Sequence, residues 1–150
     1  DVTRTVNGTG HTGTSEFCAM TNMRNMFAYC SFNQPLNNWD VSNVNTMERM
    51  FWTATYFNQP LNNWDVSYVE DMAWMFMSSL SFNQPLNNWD VSNVTNMWYM
   101  FFNATSFNQP LNKWNVSNDV TYMRRMFDGA DSFNQPLHAP WYHDEESDSE

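Results

Sequence analysis

Two spacings of apolar residues alternate along the chain, and they predict two kinds of element. In the first, Leu36, Trp39 and Val41 follow an L-x-x-L-x-L spacing in which alternate residues of a short strand face inward, and Val44 and Met47 continue the run. This places one strand per unit at Trp39–Val41, Trp64–Val66, Trp89–Val91 and Trp114–Val116. In the second, Met47, Met50, Phe51 and Ala54 stand at i, i+3, i+4 and i+7, which is one face of a short helical segment. Thr46 stands where a cap would start that segment, as do Asp71, Asn96 and, less suitably, Tyr122. Pro35, Pro60, Pro85, Pro110 and Pro136 fall in the connection back to the strand, where a missing N–H costs little.

Both patterns repeat. The hexapeptide FNQPLN recurs, whole or nearly whole, at Phe32, Phe57, Phe82, Phe107 and Phe133, giving intervals of 25, 25, 25 and 26 residues. A unit this short cannot bury its own apolar positions, so successive units must stack and share one core. The expected fold is an α/β solenoid of right-handed coils of about 25 residues, each with one short parallel strand and one short helical segment. Residues 1–16 are Thr- and Gly-rich and read as a lead-in or cap, residues 17–137 as the repeat array, and residues 138–150 as a C-terminal cap with an acidic tail. The first unit has one residue fewer between MF and FNQ, and the fourth has one more near Asp119.

The unit WDVSNVTNMxxMFxxAxSFNQPLN, repeated almost letter for letter, resembles the bacterial surface protein repeat of mycoplasma surface lipoproteins, a relative of the BspA-type leucine-rich repeat. The resemblance covers roughly residues 17–137. It implies an extracellular or cell-surface location and a role in adhesion or protein interaction, and it supplies no catalytic residues.

Charge narrows the classes of partner. A net charge of −10 with only six Lys and Arg disfavours nucleic acid and anionic membranes, since phosphate binding rests on basic side chains. Asp144, Glu145, Glu146, Asp148 and Glu150 crowd the end of the chain and read as a solvated tail. No apolar run approaches the roughly 18 residues of a membrane span, so no direct span is expected.

Candidate chemistry is sparse because nearly every distinctive residue is repeated. The periodic methionines, such as Met47/Met50 and Met72/Met75, could offer thioethers to Cu(I), but beside Phe at regular spacing they read as core filler. Asp40, Asp65 and Asp90, with Asn115 continuing the row, lie between inward Trp and Val residues and so point outward about 4.8 Å apart. Such a row invites calcium or a basic partner, unless each Asp accepts hydrogen bonds from the Ser two residues on. Cys18 and Cys30 would staple the N-terminal end if bridged, and two buried thiols are the alternative. The Asn33, Asn58, Asn83, Asn108 and Asn134 column, with Gln34 and its counterparts, reads as side-chain ladders at the coil corners. Sequons at Asn7, Asn93, Asn103 and Asn115 are glycosylation candidates in a secreted protein. His11, His138 and His143 share no metal-like spacing, and no phosphate loop or nucleophile motif occurs, so an enzyme is not expected.

The sequence therefore points to a non-enzymatic repeat protein that binds a protein partner or itself, with a glycan as a further possible partner. The alternative is a structural subunit of an extracellular filament or wall.

Overall fold

The computed structural model describes residues 20–117, 122–137 and 142, and in these the apolar residues spaced three apart are the two ends of tight turns. The N–H of Trp39 donates to the Leu36 carbonyl at 3.0 Å, Val44 to Val41 at 2.9 Å, Met50 to Met47 at 3.1 Å, Ala54 to Phe51 at 3.0 Å and Phe57 to Ala54 at 3.1 Å. Each bond closes a four-residue turn, and the residues at its ends are buried. The central residues of the turns are half-buried or exposed, with only Glu48 and Ala73 as exceptions. Leu61–Trp64, Val66–Val69 and Met72–Met75 repeat the arrangement in the next coil, and Leu86–Trp89, Val91–Val94 and Met97–Met100 in the one after.

This corrects the expected α/β solenoid. Among the described residues there is no α-helix and no strand, so neither the helical segment nor the Trp–x–Val strand of each coil exists. The leucine-rich-repeat character inferred from that strand goes with it. Two physical causes block the helix at Met47–Ala54. The first is left-handed backbone within it: Arg49 has φ 57° and Thr53 φ 55°. The same two positions are left-handed in every coil, at Asn25 and Tyr29, Trp74 and Ser78, Tyr99 and Asn103, and Arg125 and Gly129. For a residue with a Cβ this region costs about 1–2 kcal/mol, and it interrupts any helical run.

The second cause is where the amides go. The N–H groups of Met47, Arg49, Phe51 and Thr53 donate to Asp71, Ala73, Met75 and Met77 of the following coil at 2.8–2.9 Å, while Met50, Trp52 and Ala54 close turns within their own coil. Alternate amides thus bind along the stack and around the coil, leaving none for an i−4 carbonyl. The backbone is satisfied without a helix or a sheet. Parallel bridges at Asn22–Thr46, Thr46–Asp71, Asp71–Asn96 and Asn96–Tyr122 mark the same seam. They fall at the residues the sequence suggested as helix caps, well away from Trp39–Val41.

The core is a set of aromatic columns running along the stack. Phe27, Phe51, Phe76, Phe101 and Phe127 lie 5.4–5.6 Å apart with rings within 11° of parallel. Phe32, Phe57, Phe82, Phe107 and Phe133 form a second column at 5.9–6.4 Å. Within each complete coil the two columns touch, as at Phe76–Phe82, 4.1 Å. Offset stacks of this kind add about 0.5–1.5 kcal/mol per pair beyond area burial. The inward tryptophans are also buried, and each indole finds an acceptor one coil back. Trp64 Nε1 donates to Leu36 O at 2.9 Å, Trp89 Nε1 to Leu61 O at 3.0 Å and Trp114 Nε1 to Leu86 O at 2.9 Å.

The Asn column forms side-chain ladders that satisfy backbone groups, as expected. Asn33 Oδ1 accepts from Asn58 N at 3.0 Å and from Gln59 Nε2 at 3.1 Å. Asn58, Asn83 and Asn108 repeat this pair of bonds with the coil that follows each of them.

Candidate functional site

Comparing the coils with one another separates framework from surface. The buried ends of the turns scarcely change: Met, Met and Phe recur at Met47, Met50 and Phe51, at Met72, Met75 and Phe76, and at Met97, Met100 and Phe101. The central residues of the two turns change at every coil. They are Arg24, Asn25, Ala28 and Tyr29, then Glu48, Arg49, Trp52 and Thr53, then Ala73, Trp74, Met77 and Ser78. In the next coil Trp98, Tyr99, Phe102 and Asn103 replace them, and then Arg124, Arg125, Asp128 and Gly129. Stacking fixes the first set, because each ring must match the one above and below. No such demand acts on the second.

Several rings stand together on this turn face. Trp74 lies 5.3 Å from Trp98 at 34° and 6.3 Å from Tyr99 at 14°, and Tyr99 meets Phe102 edge-on at 5.2 Å. The Arg49 guanidinium stands 4.2 Å above the Trp74 ring and 5.3 Å from that of Trp52, while its Nη1 pairs with Glu48 Oε1 at 3.2 Å. Arg24 holds the same carboxylate from the other side, which accounts for Glu48 being only 6% exposed. A groove of about 320 Å³ opens here, lined by Glu48, Asp71, Trp74, Asn96, Trp98 and Tyr122. Arg24, Arg49, Arg124 and Arg125, four of the six basic residues of an acidic chain, stand at central positions of these turns.

The other residues singled out in the sequence are dispersed. Asp40 Oδ1 accepts from Ser42 N at 3.1 Å and Ser42 Oγ at 2.6 Å, and Asp65 does the same with Ser67. Asp90 accepts from Ser92 N at 3.1 Å. These hydrogen bonds to the ionised form hold the Asp40 and Asp90 carboxyls below the ordinary value. Among the described residues no three His, Cys, Asp or Glu side chains stand close enough to hold a metal ion, so the row offers calcium no ready cluster. Most of the methionines are packed in the core, with Met47, Met50, Met72, Met75, Met97 and Met100 fully buried.

The Cys30 thiol donates to Phe27 O at 3.0 Å. Cys18 lies outside the described residues, and the suggested bridge with it, as does Asn7. Asn93, Asn103 and Asn115 are all exposed, and Asn93 Nδ2 donates to Ser67 O at 2.7 Å. Among the described residues no helix is long and apolar enough to cross a membrane.

The architecture defines a stacked-repeat scaffold with an invariant core and one variable, aromatic face. The chain belongs to the family described as Mycoplasma protein of unknown function, DUF285, whose model matches residues 60–148. No curated protein and no solved structure matches it.

Of the groove residues, Trp74 and Trp98 are the two rings that sequence reasoning missed, because the tryptophans it reads as inward are those that recur in every coil. The available signal was that they stand at positions the repeat leaves free.

Proposed function

We propose that this chain is a non-enzymatic binding scaffold of an extracellular or cell-surface setting, acting in adhesion or protein interaction through its turn face. One observation carries the reading. In a repeat whose core is nearly invariant, the central residues of these two outward turns change at every coil, and on the third and fourth coils they include Trp74, Met77, Trp98, Tyr99 and Phe102. Aromatic and Met side chains are the ones enriched at protein interfaces, and a cluster of half-exposed rings on a rigid frame binds at little entropic cost. The backbone beneath them is fixed by bonds in two directions, which pre-organises the surface.

The test compares binding of the fluorescently labelled parent chain to cultured cell layers with that of a Trp74→Ala/Trp98→Ala/Tyr122→Ala variant. Folding is monitored by near-ultraviolet circular dichroism. The variant should fold and should lose binding by at least about tenfold, as expected when central aromatic anchors are removed. Equal binding by parent and variant refutes the assignment of the face.

A further inference from the structure

The groove at the centre of this face has a chemistry of its own. Its rings are Trp74, Trp98 and Tyr122, and its polar groups are Glu48, Asp71 and Asn96. Asp71 commits Oδ1 to Ala73 N at 2.9 Å, which leaves its second oxygen to accept. Asn96 commits Oδ1 to Trp98 N at 3.2 Å, which leaves its amide NH₂ to donate. The Trp98 indole N–H is buried and has no hydrogen-bond partner among the described residues, although a buried donor normally has one. The phenol of Tyr122 can both donate and accept.

An occupant must therefore present an apolar face to the rings and, around its edge, groups that both accept and donate hydrogen bonds. A cation fails the first half of that polar requirement. A guanidinium or ammonium has no acceptor for the Trp98 N–H or the Asn96 amide. The cationic position over Trp74 is in any case already filled by Arg49 from this chain. An anionic ligand would meet the Glu48 and Asp71 carboxylates that line the groove itself. A sugar ring supplies both halves: a C–H face for the ring surface that Arg49 leaves uncovered, and hydroxyls that are donor and acceptor at once. The groove volume of about 320 Å³ falls at the small end of ligand sites, suited to one or two sugar units.

We infer that the Trp74/Trp98/Tyr122 groove is a subsite for a neutral saccharide, with the rings as platform and Asp71 and Asn96 as the orienting groups. This rests on the turn face being the binding surface, and it names the ligand class for that surface. Filling the site supplies the acceptor that the Trp98 indole lacks, through a small shift of the Trp74 and Trp98 rings, which tilt against each other at 34°.

The experiment follows indole N–H resonances of the ¹⁵N-labelled full chain during titration with lactose, maltose, cellobiose and N,N′-diacetylchitobiose, with methylguanidinium as the cationic arm. At least one disaccharide should shift the Trp98 and Trp74 resonances saturably at millimolar concentration. Trp89, whose N–H is held by Leu61 O, should stay in place. Trp74→Ala, a change at a half-exposed side chain, should keep the fold and abolish the shift. The inference is overturned if none of the disaccharides moves Trp98, if the shift persists in Trp74→Ala, or if methylguanidinium alone produces it. Cell-layer binding that falls in the triple variant while all disaccharides leave Trp98 unmoved overturns the saccharide and keeps the face. Cell-layer binding unchanged in that variant overturns both.

Discussion

Replacing Trp89 probes the packing that unites the coils. Its ring is 3% exposed, lies parallel to Trp64 at 6.4 Å and 3°, and approaches Phe76 at 6.5 Å. Its Nε1 donates to Leu61 O, which also receives Trp64 N at 3.1 Å. Trp89→Ala removes the ring volume from a column that cannot close up, because the coil spacing is set by backbone bonds. The expected loss is about 3–5 kcal/mol. Trp89→Phe keeps most of the ring and forfeits the indole hydrogen bond. Because the Leu61 carbonyl retains Trp64 N, that loss should be nearer 1 kcal/mol than the full cost of an unsatisfied carbonyl.

The assay is urea unfolding followed by near-ultraviolet circular dichroism. The Ala variant, placed mid-stack, should also broaden the transition, since weakening one interface lets the two halves unfold separately. A loss below about 1 kcal/mol for Ala would show that the ring does not fill the core as described. Equal losses for Ala and Phe would show that the hydrogen bond, and not ring volume, dominates.

Asn83 should tolerate Asp but not Ala, because the bonds from Asn108 N and Gln109 Nε2 both end on its Oδ1. The Ala variant should lose about 1–2 kcal/mol in the same assay and the Asp variant much less. Gly129→Ala should destabilise by about 1–2 kcal/mol, since φ is 71° and a Cβ would press on the Asn103 side chain. Ser78→Gly, at the equivalent left-handed position with φ 57°, should raise the melting temperature or leave it unchanged. The Asp40 and Asp90 carboxyls titrate below the ordinary range because Ser42 and Ser92 donate to them. Their contribution is present above the unfolded carboxylate pKa and is lost as the pH falls through the depressed values. Ser42→Ala and Ser92→Ala should raise those pKa values in a carboxyl NMR titration, and unchanged values would refute the cause.

The repeat, its register and its buried residues were legible in the sequence because stacking demands that the same side chain recur at the same height. Leu36, Trp39, Val41, Val44, Met47, Met50 and Phe51 were all read as inward, and all are buried. The Asn33 column was legible for the same reason. The groove was only half visible: Asp71, Asn96 and Tyr122 drew notice as possible caps, while Trp74 and Trp98 did not. Nothing local says that the third and fourth coils place rings side by side.

The sequence by itself determined that short units stack, which residues form the shared core, and that the chain is acidic. Only the tertiary structure decided what the backbone does between those residues. An apolar spacing of three or four suits a helix and suits a chain of closed turns, since both return the next residue to the same side. The choice fell to the turns because the next coil's carbonyls compete for alternate amides, and that competition exists only once coils are stacked. Arg49, Thr53, Trp74, Ser78 and Tyr99 accept left-handed backbone in consequence, although a Gly stands at the equivalent position only at Gly129. That constraint turns their side chains outward and makes the turn face.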